Sequence, residues 1–126
     1  MRLLLDTHVL LWWLADDDGL SGAAAGAIAD GDNEVVVSAA TAWEISIKRG
    51  LGKLEAPDDV AGALAANDFR PLAIDIRHAT LAGGLPPHHH DPFDRMLVAQ
   101  AQSEGLTIVT GDARIGAYAV GVLAAS

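Results

Sequence analysis

The sequence predicts an α/β domain: a central, mostly parallel sheet of four or five strands with helices on both faces. Three observations predict it. Short apolar segments alternate along the chain with segments of helical periodicity. The strand candidates are apolar throughout instead of alternating with polar residues, the pattern of strands buried on both faces. The length of 126 residues, 51% hydrophobic and 20% charged, suits one globular domain and leaves no room for a second full-sized core.

The elements follow in order. Arg2–Leu5 reads as a buried strand that stops at Asp6, and Thr7 to Ala15 as a helix apolar around most of its circumference. Asp16–Asp18 and Gly19 end that helix, and Ser21 caps a second one through about Asp30. After the turn Gly31-Asp32-Asn33, the β-branched run Glu34–Val37 is the second strand. Ser38 is the N-cap of a helix from Ala39 to about Arg49, with Gly50 expected to close it. Asp58 is expected to cap a helix to about Asp68, followed by a third strand over Pro71–Asp75 and a short helix over Arg77–Leu85. Pro86-Pro87 and His88–His90 read as a solvated loop. Asp91 and Pro92 open a helix that runs to Glu104 and ends at Gly105, since proline loses no bond at the first helical position. Leu106–Thr110 is the fourth strand, Gly111-Asp112 a turn, and Tyr118–Leu123 a weaker fifth strand.

Charge and composition exclude several function classes. The net charge of −9 disfavours an electrostatic nucleic-acid clamp or a binder of anionic membranes, but leaves open a site that reaches phosphate through a bound cation. With no cysteine, disulfide frameworks, thiolate chemistry and cysteine zinc sites are out. The apolar run Leu3–Leu14 is interrupted by Asp6 and His8, so it reads neither as a signal peptide nor as a membrane span, and a soluble, cytoplasmic protein is expected.

In a parallel sheet covered on both faces, ligands sit outside the carboxyl ends of the strands. Asp6 follows the first strand directly, and Asp112 follows the fourth two residues beyond Thr110. Asp94 lies in the first turn of its helix and begins the stripe Asp94, Leu97, Val98, Ala101 that must face the sheet. Glu44 sits mid-helix beside Trp43, with Ala40 and Ile47 on the adjoining face, where an uncompensated carboxylate is costly. Four such acids meeting would raise one another's pKa and repel; a divalent cation removes that cost, and all-oxygen ligation suits Mg²⁺ or Mn²⁺. Each acid also has a plainer reading. Asp6 fits a helix cap, Asp94 a capping box with Asp91, Asp112 a turn, and Glu44 an i,i+4 pair with Lys48. It is their coincidence that favours a shared site.

Four blocks carry a family resemblance: LLLDTHVLLW (Leu3–Trp12), VSAATAWEISIKRGLGKL (Val37–Leu54), DPFDRMLVAQA (Asp91–Ala101) and LTIVTGD (Leu106–Asp112). With them the chain resembles the PIN-domain ribonucleases, specifically the VapC-type toxins of bacterial toxin–antitoxin pairs. The resemblance implies a PIN-like three-layer sandwich over residues 1–126 and Mg²⁺- or Mn²⁺-dependent endonucleolytic cleavage of RNA, leaving a 5′-phosphate. It also implies neutralisation by a cognate VapB-type antitoxin. The family's metal-binding acids fall on Asp6, Glu44, Asp94 and Asp112, and Thr110 matches a hydroxyl residue that supports the last acid without touching the ion. Under that reading the ion lowers the pKa of a water and offsets phosphoryl charge, and Glu44 either ligates it or orients the water.

RNA affinity on so acidic a chain requires a local basic patch. Lys48, Arg49 and Lys53, just beyond Glu44, and Arg95, beside Asp94, are the candidates, although Lys48 and Arg49 equally suit a helix C-terminus. Consecutive histidines at 88–90 are poorly placed to share one ion, so no zinc site is expected. Leu10, Leu11, Trp12, Trp13 and Leu14 carry more apolar surface than one helix face buries, which points to a homodimer or an antitoxin groove, with core packing as the alternative. A phosphoacceptor receiver needs a lysine after the last strand, and none follows Lys53; a dehalogenase-type phosphatase needs a second aspartate where His8 stands. A PIN-like fold kept as a catalytically silent protein-binding module is the remaining alternative, and the presence of all four acids argues against it.

Overall fold

A computed structural model describes residues 1–126. Five strands, β1 (Arg2–Leu5), β2 (Glu34–Ser38), β3 (Arg70–Leu72), β4 (Thr107–Thr110) and β5 (Gly121–Ala124), form one sheet in the order β3-β2-β1-β4-β5. Every neighbouring pair is parallel, with Leu4 opposite Val36 on one side and Ile108 on the other. Six helices connect them: α1 (Thr7–Leu14), α2 (Gly22–Ala29), α3 (Ala39–Gly50), α4 (Val60–Ala66), α5 (Ile76–Gly83) and α6 (Pro92–Glu104). No helix is long and apolar enough to cross a membrane.

Alternation along each strand divides the core into two layers. Leu3, Leu5, Val35, Val37 and Val109 pack against Val9 and Leu10 of α1, Ile28 of α2, Ile45 of α3 and Leu64 of α4. Leu4, Val36 and Ile108 point the other way, onto Leu97, Val98 and Ala101 of α6 and onto Ile115 and Tyr118. Both faces of the central strands are therefore dry, and the strands are apolar throughout for that reason.

The strand order positions the site. From β1 the chain moves outward to β2 and β3, then returns past β1 to β4 and β5. The connections after β1 and β4 leave in opposite directions, which opens a crevice at the carboxyl ends of these two strands.

Most element ends agree with the local signals. Ser21 accepts from Ala24 N, Ser38 from Ala40 N, and Asp91 from the N–H groups of Phe93 and Asp94; Gly105 ends α6 in the left-handed region at φ 68°. Other boundaries moved. Asp59, not Asp58, caps α4, because its carboxylate reaches Gly62 N. Gly50 stays helical; the chain turns one step later, at Leu51 and Gly52, and Gly52 takes φ 69°. The third strand is only Arg70–Leu72, an edge strand pairing with β2 alone, and α5 starts at Ile76 because Asp75 and His78 form a reciprocal capping box. His78 then spans to α6, its Nε2 lying 2.8 Å from Glu104 Oε1. The fifth strand is Gly121–Ala124, since Ile115–Ala117 forms a 3₁₀ turn before it.

Leu4 is fully buried at the centre of the sheet. Leu4→Ala is expected to cost about 3 kcal/mol in urea melts, whereas the same truncation at exposed Leu51 should cost under about 1 kcal/mol; equal losses would contradict this division of core and surface.

Candidate metal centre

Asp6 leaves β1 directly into α1, and its carboxylate does two jobs. Oδ1 accepts from Val9 N at 2.8 Å, capping the helix, and Oδ2 accepts from Thr110 Oγ1 at 2.5 Å. The same Thr110 oxygen accepts from Asp112 N at 3.0 Å. One hydroxyl at the end of β4 thus ties together the two acids that flank the crevice. Burial pushes the Asp6 carboxyl up, against the lowering effect of the Thr110 and Val9 hydrogen bonds. Asp6 and Asp112 share the walls of an open cleft of about 350 Å³ with His8 and Trp12.

Glu44 enters from α3 and is only 4% exposed. Thr7 Oγ1 donates to its Oε1 at 2.5 Å, and Lys48 pairs with its Oε2 one turn on. The pair with Lys48 is present, as the plainer reading expects, yet it lies inside the site. The charge on Glu44 is felt at Asp6, and that on Asp6 at Asp94. Asp6, Glu44 and Asp94 therefore occupy one electrostatic neighbourhood, and Asp112 is tied to it through Thr110 and His89.

Asp94 does not complete a capping box with Asp91; its backbone N–H donates to the Asp91 carboxylate, and its own Oδ2 turns instead to His89 Nε2 at 2.8 Å. The same nitrogen lies 3.4 Å from Asp112 Oδ2. His89, Asp94 and Asp112 offer possible ligand atoms all within 4.8 Å of one another. The 88–90 segment is thus not a solvated loop at its centre, because His89 is buried. It is held there by Arg95, whose guanidinium donates to the carbonyls of Ala82, Leu85, Pro86 and His89, and by Tyr118, whose hydroxyl bonds Pro86 O and His89 N. The only sequence signal for His89 is its position two residues before the Asp91 cap, which is too weak to single out one histidine of three.

The basic candidates are mostly engaged elsewhere. Arg95 is spent on backbone carbonyls, Arg49 pairs with Asp58, and Lys48 is bound to Glu44; of the four, only the Lys53 side chain makes neither an ion pair nor a hydrogen bond. Arg114, absent from the candidates, grips both Asp112 oxygens, with Nε at 3.1 Å from Oδ1 and Nη2 at 2.9 Å from Oδ2. That fork holds the Asp112 carboxyl below the usual range. The tryptophans also separate: Trp13 packs on Phe69 and donates to Asn67 Oδ1, whereas Trp12 lines the cleft. The unburied apolar stripe lies instead on α3, where Trp43, Ile47 and Leu51 recur at i, i+4 and i+8.

The donor set fits a divalent cation. The Asp94 carboxyl is pushed up to about 6, first by burial and then by the charge of Asp91, with Asp6 adding to it and His89 opposing. A cation beside Asp94 would relieve that excess. His89 Nδ1 faces the Asp91 N–H at 3.4 Å, which leaves Nε2 to donate toward Asp94. His89 then orients a carboxylate and the ligand atoms remain oxygen, as Mg²⁺ and Mn²⁺ prefer.

Comparison with known proteins agrees with this architecture. The family model of the PIN domain matches residues 3–121. Ribonuclease VapC22 of Mycobacterium tuberculosis (strain ATCC 25618 / H37Rv) is 33% identical over 119 residues, covering 92% of this chain and 91% of that protein. Among solved structures, VapBC2 from Rickettsia felis bound to a DNA fragment from its promoter superposes with a TM-score of 0.71 at 13% identity, covering 98% of both chains. DNA-bound VapBC from Salmonella typhimurium does so with a TM-score of 0.67 at 19% identity, covering 98% of this chain and 97% of that one. The chain belongs to the PIN domain family.

The raised Asp94 pKa has a definite sign in the metal-free protein. Between the ordinary value of 3.8 and about 6 the folded state holds this proton more tightly than the unfolded chain. The stability it contributes is therefore complete below the lower value and lost as pH rises through the upper one. Asp94→Asn is expected to stabilise the metal-free protein near neutral pH by roughly 2 kcal/mol and to flatten this decline in urea melts. A less stable variant at neutral pH would show that the carboxylate is not under such pressure.

Proposed function

We propose that this PIN-family chain, a single PIN-like domain over residues 1–126, is a divalent-metal-dependent endoribonuclease and the toxin of a VapBC-type toxin–antitoxin pair. The observation that carries the reading is the placement of Asp6, Glu44, Asp94 and Asp112 at the carboxyl edge of the sheet beside an open cleft, the first three linked by charge and Asp112 tied in through Thr110 and His89. Kinship to a ribonuclease over nine-tenths of both chains supports it.

In this reading Asp94 and Asp112 hold Mg²⁺ or Mn²⁺ with Asp6 alongside, and Glu44 ligates or orients water at the α3 side. Thr110 keeps Asp6 and Asp112 in register through its two hydrogen bonds, and His89 keeps Asp94 turned toward Asp112. When bound, the ion supplies Lewis-acid stabilisation of phosphoryl oxygens and brings the pKa of a water toward neutrality. Lys48, paired with Glu44, and unpaired Lys53 are the phosphate contacts retained from the basic patch; Arg49 and Arg95 are assigned to structure instead.

A VapB-type antitoxin is the proposed partner, and VapBC structures among the fold relatives support it. An apolar groove between α3, α4 and β3, lined by Ala42, Val60, Leu64, Phe69 and Leu72, offers a place for an apolar antitoxin segment. Trp43, 62% exposed and edge-on to Phe93, forms with Ile47 and Leu51 the face proposed for a homodimer. The cytoplasm, where RNA is available, is the proposed location.

Brief expression in a bacterial host followed by sequencing of RNA ends is expected to reveal new 5′-phosphate ends in the presence of the parent chain. Asp6→Asn and Asp94→Asn should fold yet lower cleavage by roughly 100-fold or more. Variants that cut as fast as the parent would refute the site, and a folded parent without cleavage in Mg²⁺ or Mn²⁺ would favour the silent protein-binding module.

A further inference from the structure

Arg114 is the cation that the site holds on its open side. The chain has eight Lys and Arg residues against a net charge of −9. Arg2 and Arg70 are both on Glu34, Arg49 is on Asp58, Arg77 is near Glu104, and Arg95 is on backbone carbonyls. Lys53 makes no ion pair, which leaves Lys48 and Arg114 as the two cations paired to acids of the site. They differ in their surroundings. Lys48 pairs with a buried glutamate inside the helix layer, whereas the Arg114 side chain is 65% exposed at the rim.

Its partner oxygen matters. Arg114 Nη2 sits on Asp112 Oδ2, the same oxygen that lies 3.4 Å from His89 Nε2 within the cluster of possible ligand atoms. A divalent ion using that oxygen must compete with the guanidinium for its charge, since the two cations repel across one carboxylate. An exposed pair of this kind is cheap to break, and the freed fork is a planar, bidentate donor matched to a phosphate. Its backbone anchor survives the exchange, because Arg114 N donates to Asp112 Oδ1 at 2.9 Å and keeps the residue at the cleft.

Building on the metal-dependent nuclease reading, we propose that Arg114 is an exchangeable clamp: it neutralises Asp112 when no cation is bound, and passes to an RNA phosphate when a divalent cation takes that carboxylate. RNA binding by this acidic chain is thereby made conditional on the metal. Arg114 contributes a substrate contact and also opposes metal entry, so its removal must push the two affinities in opposite directions.

The test uses the full chain stripped of metal, the probes being Mn²⁺ titrated by electron paramagnetic resonance and a short phosphorothioate-linked single-stranded RNA followed by fluorescence anisotropy at saturating Mn²⁺. Arg114→Gln is expected to tighten Mn²⁺ binding about fivefold. It should weaken RNA binding about tenfold and make the salt dependence shallower by about one unit of slope. Arg114→Lys, which keeps the charge without the fork, should recover most of the RNA affinity while still binding Mn²⁺ more tightly than the parent. Unchanged thermal melts confirm that neither variant acts through the fold. Mn²⁺ affinity that is unaltered or weaker in Arg114→Gln, or RNA affinity that is unaltered, overturns the clamp while leaving the nuclease reading intact. Equal Mn²⁺ binding by the parent and Asp94→Asn overturns the metal centre itself, and the clamp with it.

Discussion

The hydroxyl of Thr110 is the contact on which the rest of the site depends. It donates to Asp6 at the end of β1 and accepts from Asp112 beyond β4, residues more than a hundred positions apart in the chain for the first pair. The sheet order makes this possible, since β1 and β4 are parallel neighbours whose onward connections diverge. The main chain adds a second tie, because Asp6 N donates to Val109 O at 3.1 Å. The crevice between two diverging connections would otherwise be free to widen. Bonded across its floor, it ties the Asp6 carboxylate to the main chain of Asp112, a pre-organisation of the kind a cation site requires.

Around that floor the protein manages a surplus of negative charge by local means. Each acid is held by donors: a helix N-terminus and a hydroxyl for Asp6, a hydroxyl and an ammonium for Glu44, an imidazole for Asp94, a guanidinium for Asp112. Asp94 has the most clearly raised pKa, first because it is buried and then because Asp91, the cap of α6, stands beside it. The charge that starts the helix thus adds to the cost of ionising its neighbour in the candidate site. A divalent cation resolves that conflict without altering either residue.

The loop before α6 shows how structural and functional demands are joined. Arg95 follows Asp94 in sequence yet points away from the cleft, gathering four carbonyls of the segment that carries His89. A guanidinium with five fixed donors can hold several backbone acceptors at once, which a lysine could not do with the same geometry. Its charge is consumed in shaping the loop, and the loop in turn aims His89 at Asp94.

Strand identity, the α6 caps and the strand-end positions of Asp6 and Asp112 were legible in the amino-acid order, because each follows from local chemistry. β-branched runs, Asp91-Pro92 and Gly105 act within a few residues, and acids after strands mark the carboxyl edge of a parallel sheet whatever its order. Local spacing could not choose between Asp58 and Asp59 as a cap or between Gly50 and Gly52 as a stop, since neighbouring residues of equal propensity differ only in the backbone each finally meets. Apart from the local Glu44–Lys48 and Asp112–Arg114 pairs, the partners of the charged side chains at the site were decided by tertiary structure. Arg95, His89 and Arg114 are a cation or imidazole on a loop or helix start when read in sequence. Only the return of β4 beside β1 brings Asp112 next to His89 and Asp94, which makes His89 a neighbour of two carboxylates and sets the Arg114 counter-charge beside them. Electrostatic interaction depends on distance through space, and that distance is settled when the sheet closes.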